Sequence, residues 1–270
     1  MEYRTDLAVE YTEESTHRRE EKGPFAVTRL THEGSRYVTV ESPPFSDTVD
    51  GGRLAELLAG ELAELLPREG TVLVVGLGNR FITPDALGPR MADRVLATRH
   101  IGGELARVTG LGDLRPVAVL APGVLGSTGV ESGEAVAALA EALRPGAVLA
   151  VDALAARSLS RLGCTVQLSD AGISPGEGVG NRRPSLRRES LGVPVIALGV
   201  PTVVDAASLA CDLPGNETAA RDVTPRGASM NVTPREIDLL VDRAAAALAM
   251  AINRALNPSL TQEDFAALVS

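Results

Sequence analysis

Two aspartates have the type and setting to do chemistry: Asp85, in the run GLGNRFITPDALGP from Gly76 to Pro89, and Asp152, in AVDALAAR from Ala150 to Arg157. Each follows a short apolar run that reads as a buried strand, and each is expected to open an apolar-periodic helix. Singly, both are ordinary helix-start acids. Asp85 falls in the first turn of a helix from about Pro84 to Thr98, with Thr83 as cap and Pro84 at the first position; Asp152 caps a helix from Ala153 to Leu162. Together they end two strand-to-helix transitions of one parallel sheet, the edge where such sheets bind ligands. If the two carboxylates are close, repulsion keeps one protonated and the other ionised. Such a pair can activate water and protonate a leaving amine, or hold a divalent cation through oxygen ligands.

Other chemistries fit less well. Gly172-Ile-Ser-Pro-Gly176 has the G-x-S-x-G form, but a nucleophile elbow needs a helix after the serine and a histidine later in the chain. Pro175 and the glycines beyond it oppose a helix, and no histidine follows His100. Gly176, Gly178 and Gly180 lack dinucleotide-fingerprint spacing, and no Gly-Lys-Ser or Gly-Lys-Thr forms a phosphate loop. That glycine run can instead bring backbone N–H groups close to a bound chain. Gly176, Gly178, Gly180 and Asn181, with Asn79 and Asp170, are therefore the candidates for positioning a substrate. His17, His32 and His100 are scattered, and Cys164 and Cys211 have no CxxC spacing, so neither a histidine metal site nor a disulfide is expected. No cofactor is called for.

A formal net charge of -9, with Lys22 the only lysine, argues against a nucleic-acid face, and 3% aromatic residues leave little for base stacking. The cluster Arg182, Arg183, Arg187 and Arg188 reads as a solvated loop. No N-terminal apolar segment resembles a signal peptide, and no run approaches the ~18–20 apolar residues of a membrane span. A cytoplasmic protein without a membrane partner is expected.

The elements that must position the aspartates begin after residue 69. Strands TVLVVG, PVAVLAP, AVLAVDA, TVQLSD and PVIALGVP alternate with helices, including one from about Val130 to Leu143. The pattern predicts a three-layer α/β fold whose mostly parallel sheet is covered by helices on both faces. Before it, RYVTVES (Arg36–Ser42) alternates as a strand or hairpin, and Leu54, Leu57, Leu58, Leu62 and Leu65 recur at helical spacing. After the polar stretch 212–229, Thr233 and Glu236 form a capping box for an amphipathic helix lined by Ile237, Leu240, Ala244, Leu248, Ile252 and Ala255. One domain over residues 1–270 is expected, with an N-terminal extension (7–69), a catalytic core (70–211), a loop (212–229) and a C-terminal helical part (230–270).

RTDLAVE (Arg4–Glu10), RYVTVE, VVGLGNRFITPDALGP, APGVLGSTGVE, VDALAAR, SDAGISPGEGVGNRR, LGVPVIALGVPTVVDA and VTPREID, spread over nearly the whole chain, resemble the germination protease family. Its members are spore endopeptidases that degrade small acid-soluble spore proteins when spores germinate. The resemblance implies an aspartic-type endopeptidase of the spore core with Asp85 and Asp152 essential, and a fold similar to the hydrogenase maturation endopeptidases. It also implies a tetrameric zymogen that cuts itself near its N-terminus. TDLAVE looks like the family's Thr-Glu-(Phe/Ile)-Ala substrate motif, which puts that cut between Asp6 and Leu7. Three departures stand out: the segment to be removed is only Met1–Asp6, the stretch Asp212–Ser229 replaces a much longer insertion, and Ser174 takes the place of a histidine before Pro-Gly; the first two leave open a non-catalytic relative that binds extended acidic peptides without cutting them.

Overall fold

Runs such as VLVVG and AVLAVDALAA have too few polar residues to offer one face to water, so their strands must be covered on both sides. In the computed structural model, which describes residues 5–47, 50–101, 114–174, 185–212, 230–261 and 264, they form the centre of one mixed sheet. The strands are β1 (Arg18–Lys22), β2 (Phe25–His32), β3 (Ser35–Glu41), β4 (Val72–Gly76), β5 (Val117–Leu120), β6 (Ala147–Ala156), β7 (Thr165–Ser169), β8 (Val195–Asp205) and β9 (Asn231–Val232). Their order is β1-β2-β3-β7-β8-β6-β4-β5, with β9 paired to β8. The parallel pairs are β4·β5, β4·β6 and β6·β8; β1, β2, β3, β7 and β9 join antiparallel. The expected parallel core is present, and the N-terminal hairpin continues it as an antiparallel wing.

Helices cover both faces, giving the expected three layers. On one face α1 (Gly51–Leu65), α2 (Leu87–Ala92) and α7 (Ile237–Leu256) pack over Val72, Val74, Leu149, Val151, Ile196 and Leu198. On the other, Val136 and Ala140 of α4 (Ser132–Leu143) lie over Leu73, Val75, Val148 and Ala150. Short helices α3 (Leu125–Thr128), α5 (Arg188–Leu191) and α6 (Ala206–Asp212) complete the connections. Among the described residues no helix is long and apolar enough to cross a membrane.

Four local expectations are corrected. No helix runs from Ala153 to Leu162: β6 continues to Ala156, because Ala153–Ala156 find partners in Val200–Val204 of β8. The helix expected from Pro84 to Thr98 is a 3-10 turn, Thr83–Asp85, followed by the six residues of α2. Thr83 does not cap it; its hydroxyl donates to Asp238 Oδ1 at 3.0 Å. The capping box before α7 does not form either, since the Thr233 hydroxyl donates to the Thr202 carbonyl at 2.9 Å.

Candidate active site at the carboxyl edge of the sheet

β4 stops at Gly76, beside Val151, and its last contact with β6 is the Leu77 N–H donating to the Val151 carbonyl at 2.8 Å. The chain then turns back through Gly78, whose φ of +110° is closed to residues with a side chain. A Cβ there would lie 2.1 Å from the Asp85 carbonyl oxygen and 3.0 Å from its Oδ1. The missing side chain is what lets Asp85 fold onto the strand end. The Asn79 N–H donates to Asp85 Oδ2 at 2.8 Å, and the Asn79 Oδ1 accepts from the Phe81 N–H at 3.0 Å. Asn79 thus shapes the loop with both its backbone and its side chain.

From the other side, the buried Thr202 hydroxyl of β8 donates to the Pro84 carbonyl at 2.7 Å. Because Thr202 itself accepts from Thr233, the residue before Asp85 is tied through β8 to the strap leading into α7. Phe81 and Ile82, in the same loop, are 85% and 54% exposed.

Asp152 lies in the next strand, one residue past the Val151 that binds Leu77, and is 5% exposed. Its Oδ1 accepts from the Ala153 N–H at 2.9 Å. Here the reason for the edge is plain. The N–H and C=O groups of Val151, Ala153, Ala155 and Arg157 all point to the side where β4 lies, since direction alternates along a strand. β4 ends opposite Val151, so the later groups need other partners. Carboxylates supply them: Asp152 for the Ala153 N–H, Asp6 Oδ2 for Ala155 at 2.7 Å, and Glu10 Oε2 for Arg157 at 2.7 Å.

The sequence-derived site residues are therefore only partly brought together. Asp85, Asn79 and Asp152 share one edge, and Asp6 and Leu7 dock further along the same strand. Asp170 does not join them. It follows β7, which runs antiparallel to β8, so it lies toward the opposite end of the sheet, where it binds the Arg36 N–H at 2.7 Å and Nε at 2.8 Å. Gly176, Gly178, Gly180 and Asn181 lie outside the described residues. Thr202 and Gln167 were not singled out from sequence; a buried glutamine within an apolar strand was the available signal. Among the described residues, no group of three or more His, Cys, Asp or Glu is placed to hold a metal ion.

A profile of the germination protease family matches residues 20–214. The chain is 39% identical to a germination protease of Clostridium perfringens (strain SM101) over 317 aligned positions, covering 97% of each protein. Against the germination protease of Caldanaerobacter subterraneus subsp. tengcongensis it is 41% identical over 260, covering 84% of this chain and 80% of the relative. With that of Priestia megaterium the identity is 33% over 324, covering 92% and 87%. A solved structure of a nickel–iron hydrogenase maturation protease from Thermococcus kodakarensis KOD1 matches with a TM-score of 0.42 and 21% identity, over 73% of this chain and 98% of that one.

Proposed function

The chain belongs to the germination protease family, and from that premise we propose that it hydrolyses small acid-soluble spore proteins during germination, with Asp85 and Asp152 as its acid–base pair. In this mechanism the ionised carboxylate takes a proton from water as the water oxygen attacks the peptide carbonyl. The protonated carboxyl then gives its proton to the departing amine nitrogen as the C–N bond breaks. The observation that carries the proposal is the placement of a buried acid, Asp152, one residue beyond the point where Leu77 leaves β6, with Asp85 turned onto the end of the neighbouring strand β4 through Gly78.

The test replaces each carboxylate with its isosteric amide. Asp85→Asn and Asp152→Asn should each lower kcat/KM on a peptide containing Thr-Glu-Ile-Ala by roughly 10²–10⁴, the range for a lost acid or base. Wild-type rates in both variants would sink the pair. Loss of activity on chelation, restored by a divalent cation, would recast the carboxylates as ligands.

Self-cleavage between Asp6 and Leu7 belongs to the same proposal, as do a homotetrameric assembly and a place in the spore core. Leu7 is fully buried, and Asp6 is bonded to Ala155, about 10 Å along the strand from Asp152 at ~3.3 Å per residue. The segment must therefore leave its seat before its own bond can be cut.

A further inference from the structure

We propose that the edge of β6 that no described strand covers beyond the end of β4, together with Gln167, is a binding site for short acidic peptides, separate from the aspartate pair and filled by the chain's own residues Thr5–Glu10, which are extended at Leu7 and coil into a 3-10 turn at Ala8–Glu10. It deepens the peptidase proposal and rests on it only in taking a peptide as ligand. An unfinished strand edge is a template for another chain, and peptides that use one gain affinity from main-chain bonds and specificity from side-chain pockets.

Both features are present. The Asp6 N–H donates to the Ala155 carbonyl at 2.9 Å. Gln167, 8% exposed, grips the segment through its side-chain amide: its Nε2 donates to the Asp6 carbonyl at 2.7 Å and its Oε1 accepts from the Ala8 N–H at 2.7 Å. A glutamine amide bonded in this way reads backbone, not sequence.

Sequence is read by three seats. The Asp6 carboxylate accepts from the Ala155 N–H at 2.7 Å. Leu7 enters an apolar pocket formed with Leu154, Ala156 and Val204. The Glu10 carboxylate, its side chain 6% exposed, accepts from the Arg157 and Ser158 N–H groups at 2.7 and 2.9 Å. The ligand class is thus a short peptide with an acid, an aliphatic residue directly after it in extended backbone, and a second acid three residues further on that a 3-10 turn brings back to the strand. The same strand carries Asp152, so a peptide held here is tethered beside the candidate chemistry, about 10 Å from it.

The experiment uses the full-length chain carrying Asp85→Asn so that peptides stay intact, with and without Asp6→Ala, Leu7→Ala and Glu10→Ala together, which empty the three seats. A fluorescein-labelled peptide, Thr-Asp-Leu-Ala-Val-Glu, is titrated and read by polarisation. The emptied chain should bind it at least tenfold tighter than the chain whose own segment competes. Peptides with Asn for Asp or Ser for Leu should bind at least tenfold more weakly, as should the emptied chain carrying Gln167→Leu. Equal binding to both chains, or none by an emptied chain with wild-type circular dichroism, overturns the proposal. If the emptied chain does not fold, millimolar unlabelled peptide added to the wild-type chain should speed amide exchange in residues 5–12 several-fold, and unchanged exchange overturns it. Binding is read without turnover, so failure here is distinct from failure of the Asp→Asn cleavage test.

Discussion

Carboxylates at two ends of the sheet are held in different ways. At the antiparallel wing each meets a guanidinium group: Glu61, buried at 6% side-chain exposure, is bridged by Arg29; Glu41 lies between Arg19 at 2.8 Å and Arg161 at 2.9 Å; Asp170 holds the Arg36 guanidinium at 2.8 Å as well as its backbone N–H at 2.7 Å. Past the end of β4, Asp85, Asp152, Asp6 and Glu10 all accept from backbone N–H groups. The wing is a finished structure, its charges spent on fastening three hairpin strands to α1 and β7. Among the described residues no strand finishes the β6 edge, because its neighbour stops at Gly76 while β6 runs on to Ala156. Asp152, Asp6 and Glu10 gather there because alternate backbone donors of the strand need acceptors, and that gathering sets the proposed peptide seat beside the proposed acid–base pair.

Two glycines with positive φ probe this contrast with the largest expected effect. Gly34, in the β2–β3 turn, has φ +81° and nothing within 4 Å of a built Cβ, whereas Gly78 has φ +110° and the Asp85 carbonyl at 2.1 Å. Gly34→Ala should cost only the backbone strain of a left-handed residue, about 1–2 kcal/mol by thermal or urea unfolding, with peptide cleavage intact. Gly78→Ala must displace Asp85, and a shift of about 1 Å in a reacting group costs on the order of a hundredfold in rate. Equal losses of activity in the two variants would mean that the Gly78 turn does not position the chemistry.

The next effect concerns the segment that closes the β6 edge. Leu7→Ala should lower unfolding free energy by roughly 2–5 kcal/mol, the usual range for emptying a leucine seat in a core, because Leu7 is fully buried. Arg19→Ala, in the wing, removes an ion pair whose arginine side chain is 48% exposed and should cost at most about 1 kcal/mol. Denaturant titration of both variants in one buffer ranks them, and a Leu7→Ala cost no larger than that of Arg19→Ala would show that the segment rests loosely on the edge.

What was legible in sequence follows the same division. The Gly76–Asn79 turn and Asp85 were readable because the turn chemistry is local. Asp152 was placed on the right edge for the wrong reason: Ala153–Ala156 have helical composition, and only the distant Val200–Val204 make them a strand. Thr83 and Thr233 look like caps, yet each spends its hydroxyl on a residue far along the chain or on another strand. Arg18–Lys22 is all charged and showed no strand pattern, because an edge strand with both faces near water needs none. Asp170 was misplaced because sequence does not reveal that β7 runs antiparallel to β8.

Arg161 touches both regions, lying 2.9 Å from Glu41 Oε1 and 3.9 Å from Glu10 Oε1. Burial pushes the Glu41 carboxyl up, but hydrogen bonds and charge from Arg161 and Arg19 outweigh it and hold the group below the ordinary 4.5. A carboxylate with a depressed folded-state pKa adds stability that is complete above its unfolded pKa and disappears as pH falls through the folded one. Arg161→Ala should therefore be less stable than wild type by up to about 1 kcal/mol at pH 7, and the gap should close as pH drops below 4.5. A gap that stays constant from neutral to acid pH would mean that Arg161 acts by packing and not through Glu41. If the peptide affinity of the β6 edge falls along with stability, the wing and the edge share one electrostatic unit; if only stability falls, the wing is a scaffold and the edge works independently of it.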